Sequence, residues 1–218
     1  VEEEVTITAD PVNATGCEGS TVSYSVTGTG TGLTYQWEED NGGGFAPLAD
    51  GGIYSGTGTS MLTLTGISSV ENGYDYRVVV SQGGAAVCAS NATSGVASLT
   101  VEETPEITVQ PVSSTICENP GNTSFTVNAG VTTSPAYQWQ VSTNGGSSYS
   151  NISDAGIYTG TSTPVLTLTS ATSGESGYLY RVIVSGTCSP SVTSDGALLT
   201  VEEEVTITAD PVNATGCE

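Results

Sequence analysis

Short runs of alternating apolar and polar residues extend along the chain, which is the pattern of half-buried β-strands. Val22, Tyr24 and Val26 alternate with serines, and Leu62 and Leu64 alternate with threonines. Clusters of glycine, asparagine and aspartate separate the runs, as tight turns require. No segment of helical length has apolar residues at the helical period of about 3.6 residues. The pattern therefore predicts an all-β protein with about seven strands in each hundred residues, the size of one β-sandwich.

The sequence repeats on two length scales. Residues 1–18 and 201–218 are identical at all 18 positions, which defines a period of 200 residues. A weaker repeat of roughly half that length lies inside the period, and it relates Tyr35-Gln36-Trp37 to Tyr137-Gln138-Trp139. Repetition on this scale is typical of an array of small domains.

These repeats predict the domain organisation. We expect one domain at 1–100 and a second at 101–200, with 201–218 forming the first strand of a further repeat. The array is expected to continue beyond both ends of this chain.

Composition excludes several classes of function. The chain has 23 acidic residues, two basic residues (Arg77 and Arg181) and no histidine, for a net charge of -21. So few cations cannot neutralise nucleic-acid phosphates or bind an anionic membrane surface. The absence of histidine removes the usual catalytic base and zinc ligand. No apolar run approaches the length of a membrane span, so we expect no membrane insertion of this segment. Because the usual catalytic residues are also missing, we do not expect the chain to be an enzyme.

Motifs at equivalent places in both halves resemble the immunoglobulin-like fold. In the first half, a Val-x-Tyr-x-Val strand is followed by a tryptophan, then by Leu-x-Leu, then by an acid-x-Gly…Tyr-x-Val segment. The resemblance is closer to the bacterial immunoglobulin-like repeats of very large surface proteins. The motifs that carry it are Cys17-Glu18-Gly19, Tyr35-Gln36-Trp37, residues 73–78 and Cys88. The second half departs from the pattern at Cys117-Glu118-Asn119.

The resemblance implies tandem immunoglobulin-like β-sandwiches, arranged head to tail, in a secreted bacterial surface protein. It supplies no catalytic or cofactor-binding residues. It implies that the tryptophans lie in the core and that a tyrosine corner begins the penultimate strand. The core residues it implies are Trp37, Tyr76, Val78, Trp139, Tyr180 and Val182.

Five cysteines recur in register with the repeat, which predicts structural disulfides formed in an oxidising compartment. They are Cys17, Cys88, Cys117, Cys188 and Cys217. In an immunoglobulin-like sandwich the turn before the second strand and the last hairpin loop lie at opposite poles. We therefore favour a Cys17–Cys188 bond across the domain junction. The alternative is pairing inside each domain, Cys17–Cys88 and Cys117–Cys188.

Acidic clusters mark both domain boundaries and are weak candidates for calcium ligands. They comprise Glu2, Glu3, Glu4, Glu102, Glu103 and Glu106. Clustered carboxylates between tandem domains could bind calcium and stiffen a linker. A solvated, self-repelling linker is the favoured explanation, because calcium loops usually mix Asp, Asn and backbone carbonyls whereas these clusters are almost pure glutamate, so no cofactor is firmly expected.

Two further sets of residues are surface candidates. Sequons for N-glycosylation begin at Asn13, Asn91, Asn122 and Asn151. The outward-facing Arg77 is expected to pair with Glu38 on the neighbouring strand, and Arg181 has Gln140 at that place. Such an exposed pair contributes about 0–1 kcal/mol, which indicates a structural role.

Together these features predict a repeat unit of an extracellular fibre, stalk or adhesin that gives length and resistance to force and proteolysis. Its partners are neighbouring repeats of the same chain or identical subunits. One alternative is an adhesive module that binds surface glycans by avidity through loop aromatics, Phe45 and Tyr149. Another is a non-covalent polymer in which 201–218 is donated as a strand to the next subunit.

Overall fold

The chain forms two compact units of β-strands. The computed structural model describes residues 4–83, 90–203 and 205. The units are Val1–Thr104 and Pro105–Glu218. In the described residues there is no α-helix, and each unit has one 3₁₀ segment. Ser69–Glu71 is held by a capping box from Ser68, and Ser173–Glu175 by one from Thr172.

Eleven short strands occur in the described part of unit 1. They are β1 (Thr6–Ala9), β2 (Ala14–Cys17), β3 (Thr21–Ser25), β4 (Thr27–Thr29), β5 (Leu33–Asp40), β6 (Ala46–Pro47), β7 (Tyr54–Ser55), β8 (Met61–Thr65), β9 (Asp75–Gln82), β10 (Asn91–Thr93) and β11 (Ala97–Glu102). One sheet has the order β2-β11-β9-β5-β6, with β10 also paired to β9. The second has the order β3-β8-β7, and β1 pairs with β4.

Unit 2 repeats this plan with nine described strands. They are β12 (Ser114–Cys117), β13 (Thr123–Thr126), β14 (Ala136–Ser142), β15 (Ser150–Asn151), β16 (Tyr158–Thr159), β17 (Val165–Leu168), β18 (Leu179–Ser185), β19 (Val192–Thr193) and β20 (Ala197–Glu202). One sheet has the order β12-β20-β18-β14-β15, with β19 on β18, and the other has the order β13-β17-β16. The predicted all-β sandwich architecture is confirmed.

Interruptions explain why there are more strands than the sequence pattern predicts. Around Pro11, which has no N–H to donate, the first strand changes partner: β1 pairs antiparallel with β4, and β2 pairs parallel with β11. Ser94 interrupts the last strand, where its Oγ accepts from the Val78 N–H at 3.0 Å. Unit 2 repeats this second interruption, with Ser194 and Val182 at 2.9 Å.

Each unit has its own hydrophobic core between its two sheets. All six core residues expected from the resemblance have 0 % exposure: Trp37, Tyr76, Val78, Trp139, Tyr180 and Val182. The alternation on β3 and β8 also gives the expected burial, with Tyr24, Leu62 and Leu64 inside.

The boundary between the units lies after Thr104, four residues later than the repeat offset suggests. The last strand of unit 1 continues through Glu102, and Val101 is only 6 % exposed because it packs in the core of that unit. Val201 does the same in unit 2. Residues 201–202 therefore complete β20, and 206–218 lie outside the described residues.

Candidate functional site

A buried tryptophan ties the two sheets of each unit together. The Trp37 side chain on β5 donates its Nε1–H to the Thr59 carbonyl at 2.9 Å, and its backbone N–H donates to the Thr57 carbonyl at 3.0 Å. Both acceptors lie in the turn between β7 and β8 of the opposite sheet. Trp139 repeats the side-chain bond with Thr163 at 2.9 Å. A pull that separates the sheets must break these bonds as well as the packing.

The same turn is fixed by a carboxylate. Asp50 Oδ1 accepts from the Thr57 N–H at 2.8 Å and from the Thr57 hydroxyl at 2.7 Å. Asp154 makes the matching pair with Thr161 at 2.8 and 2.7 Å. The threonine hydroxyl, followed by the threonine N–H, lowers the pKa of each carboxyl because both bonds favour the ionised form.

A cluster of aromatic rings fills the core beside the tryptophan. The Tyr24 ring lies 5.0 Å from that of Tyr76, and Phe125 lies 5.0 Å from Tyr180 in unit 2. The Tyr180 hydroxyl is 3.2 Å from the Tyr158 hydroxyl, so it meets another side chain rather than the upstream backbone. In unit 2, the tyrosine of the corner that the resemblance implies therefore bonds a side chain. Burial is the main cause that raises the pKa of Tyr76 and Tyr180.

The Tyr24 hydroxyl gives a testable difference between the units. It is buried without a hydrogen-bond partner among the described residues, and burial, with the nearby Asp75 charge, raises its pKa. An unsatisfied buried hydroxyl costs about 1–3 kcal/mol, so Tyr24→Phe is expected to leave the free energy of unfolding unchanged or raise it by ~1 kcal/mol. Phe125 already fills this place in unit 2. Urea denaturation provides the measurement.

Tyr158→Phe is the matched control for that substitution. It removes the hydroxyl that bonds Tyr180, so it is expected to lower the stability of unit 2 by ~1 kcal/mol. Equal losses in both variants would contradict the assignment of the Tyr24 hydroxyl as an unsatisfied group.

The two arginines are held at the sheet surface as the sequence predicts. Arg77 Nε lies 2.7 Å from a Glu38 carboxylate oxygen, and Arg181 Nε donates to Gln140 Oε1 at 2.8 Å. The neighbouring Glu39 points to the other side, where it accepts from the Tyr54 hydroxyl. The two adjacent carboxylates thus lie on opposite faces of β5.

Loop aromatics cover each guanidinium. The Arg77 Cζ lies 3.9 Å from the Phe45 ring centre, and the Arg181 Cζ lies 3.8 Å from that of Tyr149. This cation–π contact is worth about 0.5–1 kcal/mol at an exposed site. Phe45 and Tyr149 are the aromatics of the glycan-binding alternative, and one face of each ring is already occupied.

The cysteines differ in state. Cys17 and Cys188 are disulfide-bonded, whereas the exposed Cys117 has a free thiol. The alternative bond Cys117–Cys188 is therefore not formed. Cys88 and Cys217 lie outside the described residues.

Cys17 and Cys117 occupy equivalent places in the two units. Each ends an edge strand and is aligned in parallel register with a glutamate at the end of the last strand, Glu102 or Glu202.

The calcium candidates do not form a coordination site in the part of the chain that the structure describes. No three acidic or cysteine side chains converge there in a way that could hold a metal ion. Glu106 instead accepts from the Val131 N–H at 3.2 Å, and its own N–H donates to Thr132 Oγ1 at 3.0 Å. Glu4 is exposed, and Glu2 and Glu3 are outside the described residues.

All four sequon asparagines are exposed, but they differ in their contacts. Asn13, Asn122 and Asn151 use Oδ1 as an acceptor, from Ser98, Ser170 and Gln140 respectively. Asn91, on β10, has no side-chain hydrogen bond to the described residues. Glycosylation substitutes Nδ2 and leaves Oδ1 as an acceptor, so these contacts do not distinguish between the four sequons.

Comparisons with known proteins show the fold. No family model matches the chain, and no curated protein matches it. Solved structures do match over 92–93 % of the chain. A titin I-band fragment, I67–I69, has a TM-score of 0.65 at 17 % identity and is covered over 66 % of its length. Immunoglobulin domains 1–4 of Sidekick-1 give 0.62 at 19 %, covered over 49 %. Domains IG1 and IG2 of DIP-gamma give 0.61 at 13 %, covered over 99 %.

These likenesses identify both units as immunoglobulin-like β-sandwiches in tandem. In the described residues no helix is long and apolar enough to cross a membrane. Sequence reasoning did not identify the hydrogen bonds between Asp50 and Thr57. The recurrence of Asp, Thr and Gly at matching places in the two halves was a signal that could have indicated them.

Proposed function

We propose that this chain is a structural repeat region of an extracellular fibre, stalk or adhesin at a cell surface. The observation that carries the proposal is the equivalence of the two units. The sheet-bridging tryptophan, the aspartate–threonine hydrogen bonds, the arginine covered by a loop aromatic and the strand-end cysteine recur at matching places. What recurs is thus the machinery that holds each sandwich together.

The location and source are part of the proposal. Disulfide-bonded Cys17 and Cys188 indicate an oxidising environment. One matching structure comprises extracellular domains 3–5 of Drosophila OTK, with a TM-score of 0.55 at 15 % identity. The bacterial source rests on the motif resemblance alone. The acidic surface favours solubility and mutual repulsion of fibres.

The proposed mechanism is a covalent bond from Cys17 to Cys188 that joins the two units. In unit 1, Cys17 is aligned with Glu102 at the end of β11. Ser98, four residues earlier on β11, pairs with Asp75 at the start of β9. Cys17 therefore lies beyond the start of β9. Gln82 and Ser90, which flank Cys88 in sequence, are hydrogen-bonded to each other at the far end of β9. An eight-residue strand spans roughly 25 Å, whereas a disulfide requires Cα atoms within about 7 Å. This distance argues against a Cys17–Cys88 bond.

Unit 2 provides the same argument. Cys117 is aligned with Glu202 beyond the start of β18, and Cys188 follows the end of that strand. Cys117 is free although Cys188 is bonded. Cys188 therefore bonds a cysteine other than Cys117. Among the described cysteines, Cys17 is the other one in a disulfide.

Disulfide mapping without reductant tests the proposal. Cleavage after glutamate yields Cys17 in 5–18 and Cys188 in 176–202, and these two peptides are expected to be linked. Residues 5–18 and 205–218 have the same sequence, so the variant Cys217→Ser must be mapped in parallel. Linkage retained in that variant supports the bond from Cys17. Linkage of 5–18 to 72–102 would contradict it.

Strand donation is the second candidate, and the fold gives it a specific observation. Residues 6–9 and 14–17 form β1 and β2 at sheet edges of unit 1, and 206–209 and 214–217 have the same sequences. The identical segment of another copy would form the same backbone hydrogen bonds with β4 and β11 at these sheet edges. Denaturing electrophoresis of the native material, without and then with reductant, distinguishes a continuous covalent chain from assembled subunits.

A further inference from the structure

Three asparagine–glycine pairs occur in the described chain, and such pairs are open to a self-modification. The backbone nitrogen of the glycine attacks the asparagine side-chain carbonyl, because glycine has no Cβ to obstruct the five-membered ring that forms. The three pairs are Asn41-Gly42, Asn72-Gly73 and Asn144-Gly145. Their surroundings differ sharply.

Two of the pairs are restrained by hydrogen bonds. Asn72 Oδ1 accepts from the Val101 N–H at 2.9 Å, and the attacking nitrogen of Gly73 is engaged with the Leu99 carbonyl at 2.9 Å. Asn144 donates from Nδ2 to Ser148 Oγ at 2.8 Å and accepts from the Ser142 hydroxyl at 2.9 Å. Both side chains must lose these bonds before their amide carbon can be attacked.

The side chain of Asn41 lacks these restraints. It is exposed in the turn after β5, and its side chain has no hydrogen bond to the described residues. The Gly42 N–H donates to Asp40 Oδ1 at 2.8 Å. The acceptor is thus a carboxylate, which is placed to take the proton that the attacking nitrogen must lose, whereas Gly73 donates to a backbone carbonyl. Gly42 has a φ of 101°, a conformation that a residue with a Cβ adopts only with strain.

We propose that Asn41 is a site of spontaneous deamidation, with Asp40 as the proton acceptor. The Gly42 nitrogen forms a bond to the Asn41 side-chain carbon as its proton passes to Asp40. The bond from that carbon to the side-chain nitrogen then breaks, and the proton is returned so that ammonia leaves. Water opens the resulting succinimide to aspartate or isoaspartate. No oxidant or cofactor is needed.

The product changes one edge of unit 1. The turn leads into Phe45, which lies on Arg77, and into β6, whose Ala46 pairs with Glu39. The isoaspartate product lengthens the backbone of this turn by one carbon and adds a negative charge next to Asp40 in the sequence. We expect the β5–β6 pairing and the Phe45–Arg77 contact to loosen in unit 1 alone.

The test is incubation of the whole oxidised chain at neutral and mildly alkaline pH, followed by cleavage after glutamate and mass spectrometry. The three pairs fall in separate peptides, 40–71, 72–102 and 119–175. Conversion of amide to acid is expected in 40–71 at least ~10-fold faster than in the others, and faster at the higher pH because the attacking nitrogen is then more readily deprotonated. Equal rates in the three peptides would overturn the proposal.

The isosteric variant Asp40→Asn tests the proton acceptor. Its side-chain oxygen can still accept from the Gly42 and Gly44 N–H groups, which Asp40 holds at 2.8 Å, so the turn is kept. A carboxamide cannot take the proton, so conversion is expected to slow by ~10-fold or more. An unchanged rate would reject Asp40 as the base. The unfolding midpoint of the variant, measured in parallel, verifies that the turn is intact.

Discussion

Stretching a single oxidised chain between its termini is expected to release only a small part of its length. With a Cys17–Cys188 bond, force passes from 1–17 directly to 188–218, and the 170 residues between the cysteines are shielded. At about 3.5 Å per extended residue, the remaining segments release roughly 15 nm. After reduction, the chain is expected to show two unfolding steps of about 30 nm each, one for each unit.

The physical reason is that a disulfide does not break at forces that separate β-strands. In the reduced chain, each sandwich resists through its inter-strand hydrogen bonds and the packing around its tryptophan. In the oxidised chain, the load bears on the described strands outside the shielded loop, which are β1 and β2 up to Cys17 and β19 and β20 after Cys188. The chain would then extend slightly and stop, which is the behaviour useful in a fibre.

The variant Cys17→Ser is the matched control, because it removes the proposed bond without reductant. It is expected to give the two long steps under oxidising conditions. If Cys17→Ser still released only roughly 15 nm of chain length under oxidising conditions, the proposed bond would be contradicted. A Cys17–Cys88 bond predicts a third pattern, in which unit 2 unfolds fully and only unit 1 is shortened.

The strands and the cores were predictable because burial on a sheet has a period of two residues. The burial of Tyr24 and Leu62 follows from their alternation, and that of Trp37 was implied by the resemblance to the immunoglobulin-like fold. The interruption at Ser94 was not predictable, because a serine whose hydroxyl replaces a ladder hydrogen bond resembles any polar strand residue in sequence. The residues before Pro111 also differ from those before Pro11: unit 2 has an isolated bridge between Val109 and Asn128 where unit 1 has β1 paired with β4.

The surface contacts were predictable only in part. The register of Glu38 opposite Arg77 follows from facing strands, so that pair was expected and is confirmed. The placement of Phe45 over Arg77 depends on the conformation of a turn, which alternation does not define. The state of Cys117 likewise depends on which pole of the sandwich each cysteine reaches, and spacing alone left both pairings open.

Replacement of the core tryptophan is expected to have the largest effect on stability. Trp37 is fully buried, so Trp37→Ala removes its packing and the Nε1–H bond to Thr59. Substitutions of this kind cost about 3–5 kcal/mol, a large share of the roughly 5–15 kcal/mol that stabilises a small domain. Unit 1 is therefore expected to unfold at much lower urea concentration.

The pair of tryptophans provides the readout for this prediction, because each unit contains one. In Trp37→Ala, the fluorescence of Trp139 reports unit 2 alone, and calorimetry on the reduced chain reports both units. We expect the transition of unit 1 to move and that of unit 2 to stay, with the reverse result in Trp139→Ala. Trp37→Phe, which keeps a ring but loses the Nε1–H bond, should fall between Trp37→Ala and the unchanged chain. A joint shift of both transitions in the reduced chain would mean that the two sandwiches unfold as one, and the independence of the two cores would have to be abandoned.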